Sequence, residues 1–397
     1  MLSTMRLFLI LRLMRLLTWF GLIAIILMVT RDEIPSLHNA FISMVTTKEA
    51  LSPSQRRFAE SLPAPVNVSL PTTPVPVIAS IVRTFSSFQD EALFIYQKYI
   101  LSNWKARPDR VRSFRREIFQ SSDSTAIDQF VLTQQNTNSS TLMPFYDKKL
   151  GYRGPLYKPK PELLQFLPKN PIFPKGTLLD KCSVVGNGGV LLRSACGKEI
   201  DSADYVLRCN LVPIRTFGID AGYKTNLTTM NPSIMSTRYH GFHLSTDTKR
   251  FAKALKEYSG HLFIPCMING GVLKTCTSRL LPAILEAQKK GRKFAQVTIG
   301  NPKHLLGIIK LWKHAGINYM STGFYLAQTA LTMCKEVHLF GFWSFNRTFY
   351  PLPKTLKYHF FDQMAQSNSH KFNTEFQILW QQHAEGILKI HSQDCEE

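Results

Sequence analysis

From Lys181 onward, short β-rich runs ending in Gly, Asn or Pro alternate with helical stretches, and this alternation limits the fold more than any other feature. The candidate strands are 182–185, 205–209, 227–230, 261–264, 296–299 and 337–340. The candidate helices include 251–258, 279–289, 303–314, 324–333 and 375–382. Such a series predicts an α/β fold with a doubly wound, mainly parallel sheet flanked by helices. Ligands of such sheets bind beyond the carboxyl ends of the strands. With 397 residues, 44% of them hydrophobic, the chain has enough apolar material for one large or two ordinary domains, and wholesale disorder is excluded.

The amino terminus sets the expected compartment. Residues 16–30, LLTWFGLIAIILMVT, are uncharged and mostly apolar. Extending the run back to Leu7 takes in Arg12 and Arg15, whose long stems can snorkel to the interface. Arg6, Arg12 and Arg15 precede the core of the run, and Arg31-Asp32-Glu33 follow it, with Trp19 as an interfacial aromatic. The positive-inside rule then gives a cytosolic tail (1–6), a signal anchor (7–30) and a lumenal remainder. A cleaved signal peptide is the competing reading, but no good small-x-small cleavage site follows Met28. Such a short span suits a thin early secretory membrane. The N-x-S/T sequons at Asn67, Asn138, Asn226 and Asn346 agree with a lumenal location.

Residues 31–80 read as a stem, with proline runs at Pro63–Pro65 and Pro71–Pro76. A catalytic domain is expected over 81–397. Its first part, 78–130, is helical in pattern: Phe85, Phe88, Leu93, Tyr96, Tyr99, Ile100 and Trp104 recur at three- and four-residue spacing. The basic stretch from Arg107 to Arg116 reads as a solvated helix face, with an acidic-glycan or membrane contact as the alternative. Residues 137–178 return to loop character. Lys+Arg 48 against Asp+Glu 27 gives a net charge of +21, which favours anionic partners. A lumenal location makes nucleic acid an unsuitable one.

Four segments carry chemistry. In Cys182-Ser-Val-Val-Gly-Asn-Gly-Gly-Val, a strand runs into a loop of small residues that can bring backbone N–H groups close to a phosphate or sugar. A tight turn is the plainer reading. The dinucleotide fingerprint is absent, because Leu191 stands where its third glycine would be. The next strand ends in Arg208-Cys209-Asn210, so Asn187 and Asn210 offer two amides from neighbouring strand ends. Ser321-Thr322-Gly323 precede a helical run, as N-cap residues or as a phosphate seat. Tyr358-His359-Phe-Phe-Asp362 and His370-Lys-Phe-Asn-Thr-Glu375 each supply a histidine, the natural general base near neutral pH, which a nearby carboxylate can orient.

Taken in order, these segments resemble the L, S, III and very-short sialylmotifs of the animal sialyltransferase family, over roughly Lys181 to Cys395. Gly186-Asn-Gly-Gly, Gly341-Phe-Trp343 and His370…Glu375 are most similar to the α2,8-sialyltransferase branch. The resemblance implies a Rossmann-like GT-A variant and inverting transfer of sialic acid from CMP-sialic acid to a glycan hydroxyl. The implied catalytic base is His370. His359 is implied to stabilise the departing phosphate, and Asn187, Asn210, Ser321, Thr322 and Gly323 to bind donor, joined by Trp343 and Tyr358. Glu375 is implied as a structural partner. No metal or other cofactor is implied, since CMP is a monophosphate leaving group; Glu199-Ile-Asp201 is the nearest imitation of an Asp-x-Asp motif.

The resemblance further implies a single-pass type II protein of the Golgi membrane, with a sialylated glycoprotein or glycolipid as acceptor. Self-association is left open. An α2,3- or α2,6-transferase and a catalytically silent lectin are the alternatives; the presence of both histidines argues against the lectin. The resemblance pairs Cys182 with Cys334 and Cys196 with Cys395. Cys209 is expected as a buried free thiol, while Cys266 and Cys276 either pair locally or stay free. The chain departs from the branch at Phe360 and Phe361, which lack the hydroxyls usual there, and at Ser344, where proline is usual.

Overall fold

The computed structural model describes Gln97 and residues 104–144, 156–289, 295–348, 354–364 and 370–395. The segments read from the sequence as anchor and stem, and Asn67, lie outside the described residues. No helix among the described residues is long and apolar enough to cross a membrane.

Helix α1 (Pro108–Ser121) opens the described fold, with proline in its first turn. It buries Val111, Phe114 and Ile118. Its basic face is only partly solvated, which corrects the simple reading of that stretch. Arg115 donates to the carbonyls of Leu331 (2.8 Å) and Cys334, at the end of a later helix. Arg110 pairs with Glu385. Residues 137–178 hold more than loop: Met143–Pro144 pairs antiparallel with Leu156–Tyr157, and a short helix covers Pro161–Leu164.

Seven strands form one sheet: β1 (Leu179–Val185), β2 (Tyr205–Arg208), β3 (Leu227–Thr229), β4 (His261–Ile264), β5 (Gln296–Ile299), β6 (Cys334–Phe340) and β7 (Lys389–His391). The order is β7-β6-β1-β2-β3-β4-β5, and every pairing is parallel. All six strands read from the sequence are present. β7 was not read: it is three residues long and sits at an edge. Central strands need apolar side chains on both faces, and Cys182–Val185 and Val337–Phe340 are buried throughout.

The main helices between strands are α2 (Ser245–Ala254), α3 (Leu281–Lys289), α4 (Pro302–Trp312), α5 (Thr322–Met333) and α6 (Phe372–Ala384). In α5, Phe324 through Met333 are all buried, so it is a core helix; it packs against β1 and β6.

Three disulfides staple this frame. Cys182–Cys334 ties β1 to β6, Cys196–Cys395 pins the carboxyl end, and Cys266–Cys276 closes the segment after β4. In the chain-entropy account, closing loops as long as the first two contributes roughly 5 kcal/mol each. Cys209 is free and buried, and burial pushes its thiol up to about 12.

Candidate active site

The chain builds β1 to β5 outward on one side, then returns to lay β6 on the other side of β1. That reversal is a topological switch point, and a crevice opens beyond the strand ends there. It is a cleft of about 1120 Å³. Asn187, Asn210, Ser321, Thr322, Gly323, Trp343, Tyr358, His359 and His370 all line it.

The glycine loop after β1 is built for backbone packing. Gly186 N–H donates to Phe340 O (2.7 Å) and Gly188 N–H to Gly341 O (3.0 Å). A Cβ on Gly186 or Gly188 would meet Gly341 O at 2.7 or 2.6 Å, and one on Gly189 would meet Lys357 O at 2.1 Å. The glycines therefore let three chain segments touch. This agrees with the plainer reading of the loop as a tight turn, and adds the backbone atoms that fill the space of the missing side chains. Asn187 lines the cleft; its Oδ1 is buried without a partner among the described residues, while its carbonyl accepts from Phe360 N–H (3.0 Å).

Asn210 ends β2 at φ 66, a left-handed conformation that asparagine tolerates better than most residues. Thr229 locks it: Asn210 N–H donates to Thr229 Oγ1 (3.0 Å), which donates in turn to Asn210 Oδ1 (3.2 Å). Its neighbour Arg208 is structural, fully buried and donating to Ala221 and Lys224 carbonyls and to Thr225.

Ser321 caps α5 as read, accepting from Phe324 N–H (3.1 Å). Its own N–H donates to Glu375 Oε1 at 2.6 Å, and its hydroxyl donates to Glu375 Oε2. Burial raises the Glu375 carboxyl, and the two Ser321 bonds oppose that rise. Thr322 Oγ1 donates to Asn231 Oδ1 (2.7 Å). Asn231 lies outside the four segments singled out from the sequence; it too lines the cleft.

The two histidines are held differently. His359 Nδ1 lies 3.0 and 3.1 Å from the two Asp362 carboxylate oxygens. That bond fixes the tautomer and leaves Nε2 as the available nitrogen. His370 has no carboxylate partner among the described residues, contrary to the expectation of an orienting acid. It stacks on Tyr319 (4.8 Å, 13°) and meets Phe372 edge-on (5.4 Å). Its Nδ1 is buried and unpaired. Burial pushes His370 below the ordinary histidine range, against a hydrogen bond to the Tyr319 backbone. Tyr358 bridges the two environments, stacked on His359 (4.4 Å) and 6.0 Å from Phe372. Tyr319 and Phe372 were missed by sequence reading, because an aromatic near a histidine carries no pattern of its own. Trp343 is buried, with Nε1 donating to Arg347 O (2.8 Å).

The carboxylates that imitate an Asp-x-Asp motif are occupied elsewhere. Asp201 accepts from Tyr223 and Lys224 N–H groups. Glu199 comes within ion-sharing reach of His338 and His391, but Lys181 Nζ already sits on it at 2.8 Å, and none of the three lines the cleft. The Asn226 side chain is also committed, accepting from Val206 N–H at 2.8 Å. Asn138 and Asn346 are exposed.

The cleft at the switch point of this parallel sheet is thus lined by two strand-end asparagines and two histidines. The model of glycosyltransferase family 29 (sialyltransferase) matches residues 130–387, more than half of the chain, and the chain belongs to that family. It is similar to alpha-N-acetylneuraminide alpha-2,8-sialyltransferase of Bos taurus, 36% identical over 235 residues. That match spans 57% of this chain and 64% of the relative, just under two thirds of its length. Human alpha-2,8-sialyltransferase 8F is 32% identical over 297 residues, 74% of this chain and 71% of that one. A crystal structure of a mammalian sialyltransferase in complex with Gal-beta-1-3GalNAc-ortho-nitrophenol aligns over 79% of this chain and 89% of that one, at 20% identity and a TM-score of 0.37.

Proposed function

We propose that the protein transfers sialic acid from CMP-sialic acid to a hydroxyl of an already sialylated glycan, forming an α2,8 linkage. The observation that carries this reading is that His359, bonded to Asp362, and His370, stacked on Tyr319, line one cleft together with Asn187, whose Oδ1 is buried and unpaired. The names of the relatives support the α2,8 linkage.

In this reading His370, kept neutral by burial, takes the proton of the acceptor hydroxyl. The acceptor oxygen bonds to the anomeric carbon as the bond from that carbon to the phosphate oxygen breaks. Its electron pair leaves with CMP, and the configuration inverts. His359, its Nδ1–H given to Asp362, acts in this reading as the imidazolium and donates its Nε2–H to the departing phosphate. Asn187, Asn210 and Ser321 to Gly323 hold the donor, with Trp343 and Tyr358 in its wall. Because CMP departs as a monophosphate, this reading calls for no metal.

The remaining assignments belong to the same proposal. Residues 7–30 anchor the chain in the Golgi membrane as a type II protein, 31–80 form the stem, and 81–397 act in the lumen on a sialylated glycoprotein or glycolipid. The test is transfer by the lumenal fragment to one glycoprotein acceptor, before and after sialidase treatment. Transfer that requires the existing sialic acid supports the α2,8 reading. Transfer only to the desialylated acceptor replaces it with an α2,3 or α2,6 one.

A further inference from the structure

The donor and a sialylated acceptor both carry negative charge, yet the excess of +21 is not in the cleft. Among the described residues lining it, Lys357 is the only Lys or Arg and Glu375 the only Asp or Glu. The Glu375 carboxylate is taken up by Ser321. The donor-side groups Asn187, Asn210 and Ser321 to Gly323 are partly buried, whereas Lys357 is exposed. Its backbone is fixed against Gly189, where no side chain would fit. Its ammonium makes no hydrogen bond or ion pair among the described residues. It directly precedes Tyr358, whose ring contacts His359 on one side and Phe372, the neighbour of His370, on the other.

We propose that Lys357 recognises the carboxylate of the acceptor's terminal sialic acid and so sets the requirement for a sialylated acceptor. This rests on the α2,8 reading. In that reaction the attacking hydroxyl and the carboxylate belong to the same sugar. A cation on the lining of the cleft that holds the base would therefore orient the nucleophile as well as bind it. An exposed position suits the acceptor better than the more deeply held donor.

The experiment compares wild type, Lys357→Gln and Lys357→Arg on a sialylated oligosaccharide and on the same acceptor with its terminal carboxylate converted to an amide. Lys249→Gln, exposed on α2, is the charge control. Loss of one ion pair at an exposed site corresponds to about a two- to fivefold rise in acceptor KM. We expect that rise in Lys357→Gln with the donor KM unmoved, partial recovery in Lys357→Arg, and no change in Lys249→Gln. The amidated acceptor should cost wild type the same factor and cost Lys357→Gln nothing further. A rise in donor KM instead, or equal discrimination between the two acceptors in wild type and variant, would overturn the assignment. Wild type that uses only desialylated acceptors would remove the α2,8 reading itself, a separate and recognisable result.

Discussion

Ser321 gives both its backbone N–H, at 2.6 Å, and its hydroxyl to one buried carboxylate, that of Glu375. The first turn of α5 is thereby tied to α6, and the S-like and very-short segments become one unit. Glu375→Ala would leave two donors without an acceptor, at a cost of about 1 to 3 kcal/mol. We expect a lower Tm together with a raised donor KM. Because burial lifts this carboxyl in the folded state, its contribution to stability is fully present at low pH and declines as pH rises through the folded value. The Tm of wild type relative to Glu375→Gln should therefore fall from mildly acid toward neutral pH. A constant difference across that range would contradict the burial argument.

His370 should set the acid limb of catalysis. Its pKa lies below the ordinary value of ~6.5, so the neutral base persists into mildly acid solution. The acid-side inflection of kcat/KM against pH should fall below that value. His370→Ala should lose roughly 100- to 10,000-fold in kcat, the usual weight of a general base, yet still bind CMP by calorimetry. Retained turnover would assign the base elsewhere.

The His359–Asp362 bond makes a separable claim. Asp362→Asn keeps shape but removes the charge that holds the Nδ1 proton in place. We expect kcat to drop roughly 10- to 100-fold, the worth of one charge-assisted hydrogen bond, with little change in acceptor KM. An effect confined to acceptor KM would move His359 out of leaving-group chemistry.

Much of this was legible in the sequence, for physical reasons. Central parallel strands must be apolar on both faces, so β1 to β6 stood out; β7 is too short for any periodicity. The cap at Ser321 was readable because hydroxyl residues before an apolar helix have one dominant use. The glycine loop was located correctly but explained incompletely, because sequence shows a missing side chain and not what fills its place. The carbonyls of Gly341 and Lys357 that fill it are more than 150 residues away along the chain. The overall charge pointed to anionic partners without saying where they bind, and among the described residues the cleft lining holds one lysine. Net charge is a sum over the surface and carries no address.

The sequons divide on the same ground. Asn226 Oδ1 is bonded to Val206 N–H between neighbouring strands, whereas Asn138 and Asn346 are exposed. Mass spectrometry of the secreted lumenal fragment should find glycan at Asn138 and Asn346 and none at Asn226. Asn226→Gln should then lower Tm without changing the glycan count. Occupied Asn226 in active enzyme would mean that the strand-end bond is dispensable.

Gly189 tests whether the loop's tightness matters to chemistry. An alanine methyl there would lie 2.1 Å from Lys357 O and 2.9 Å from Lys357 N, both backbone atoms that cannot rotate away. The segment carrying Tyr358 and His359 must therefore shift, breaking the bridge between Gly188 and His359. Overpacking of this kind costs about 1 to 3 kcal/mol. We expect Gly189→Ala to lower Tm and to reduce kcat/KM even well below its melting range, since His359 is displaced in the molecules that remain folded. Gly271→Ala is the control: its methyl would meet only Asn269 Oδ1, at 3.5 Å, and should be tolerated. If Gly189→Ala lost stability but kept full kcat/KM at low temperature, the loop would be a structural joint whose position the reaction does not sense.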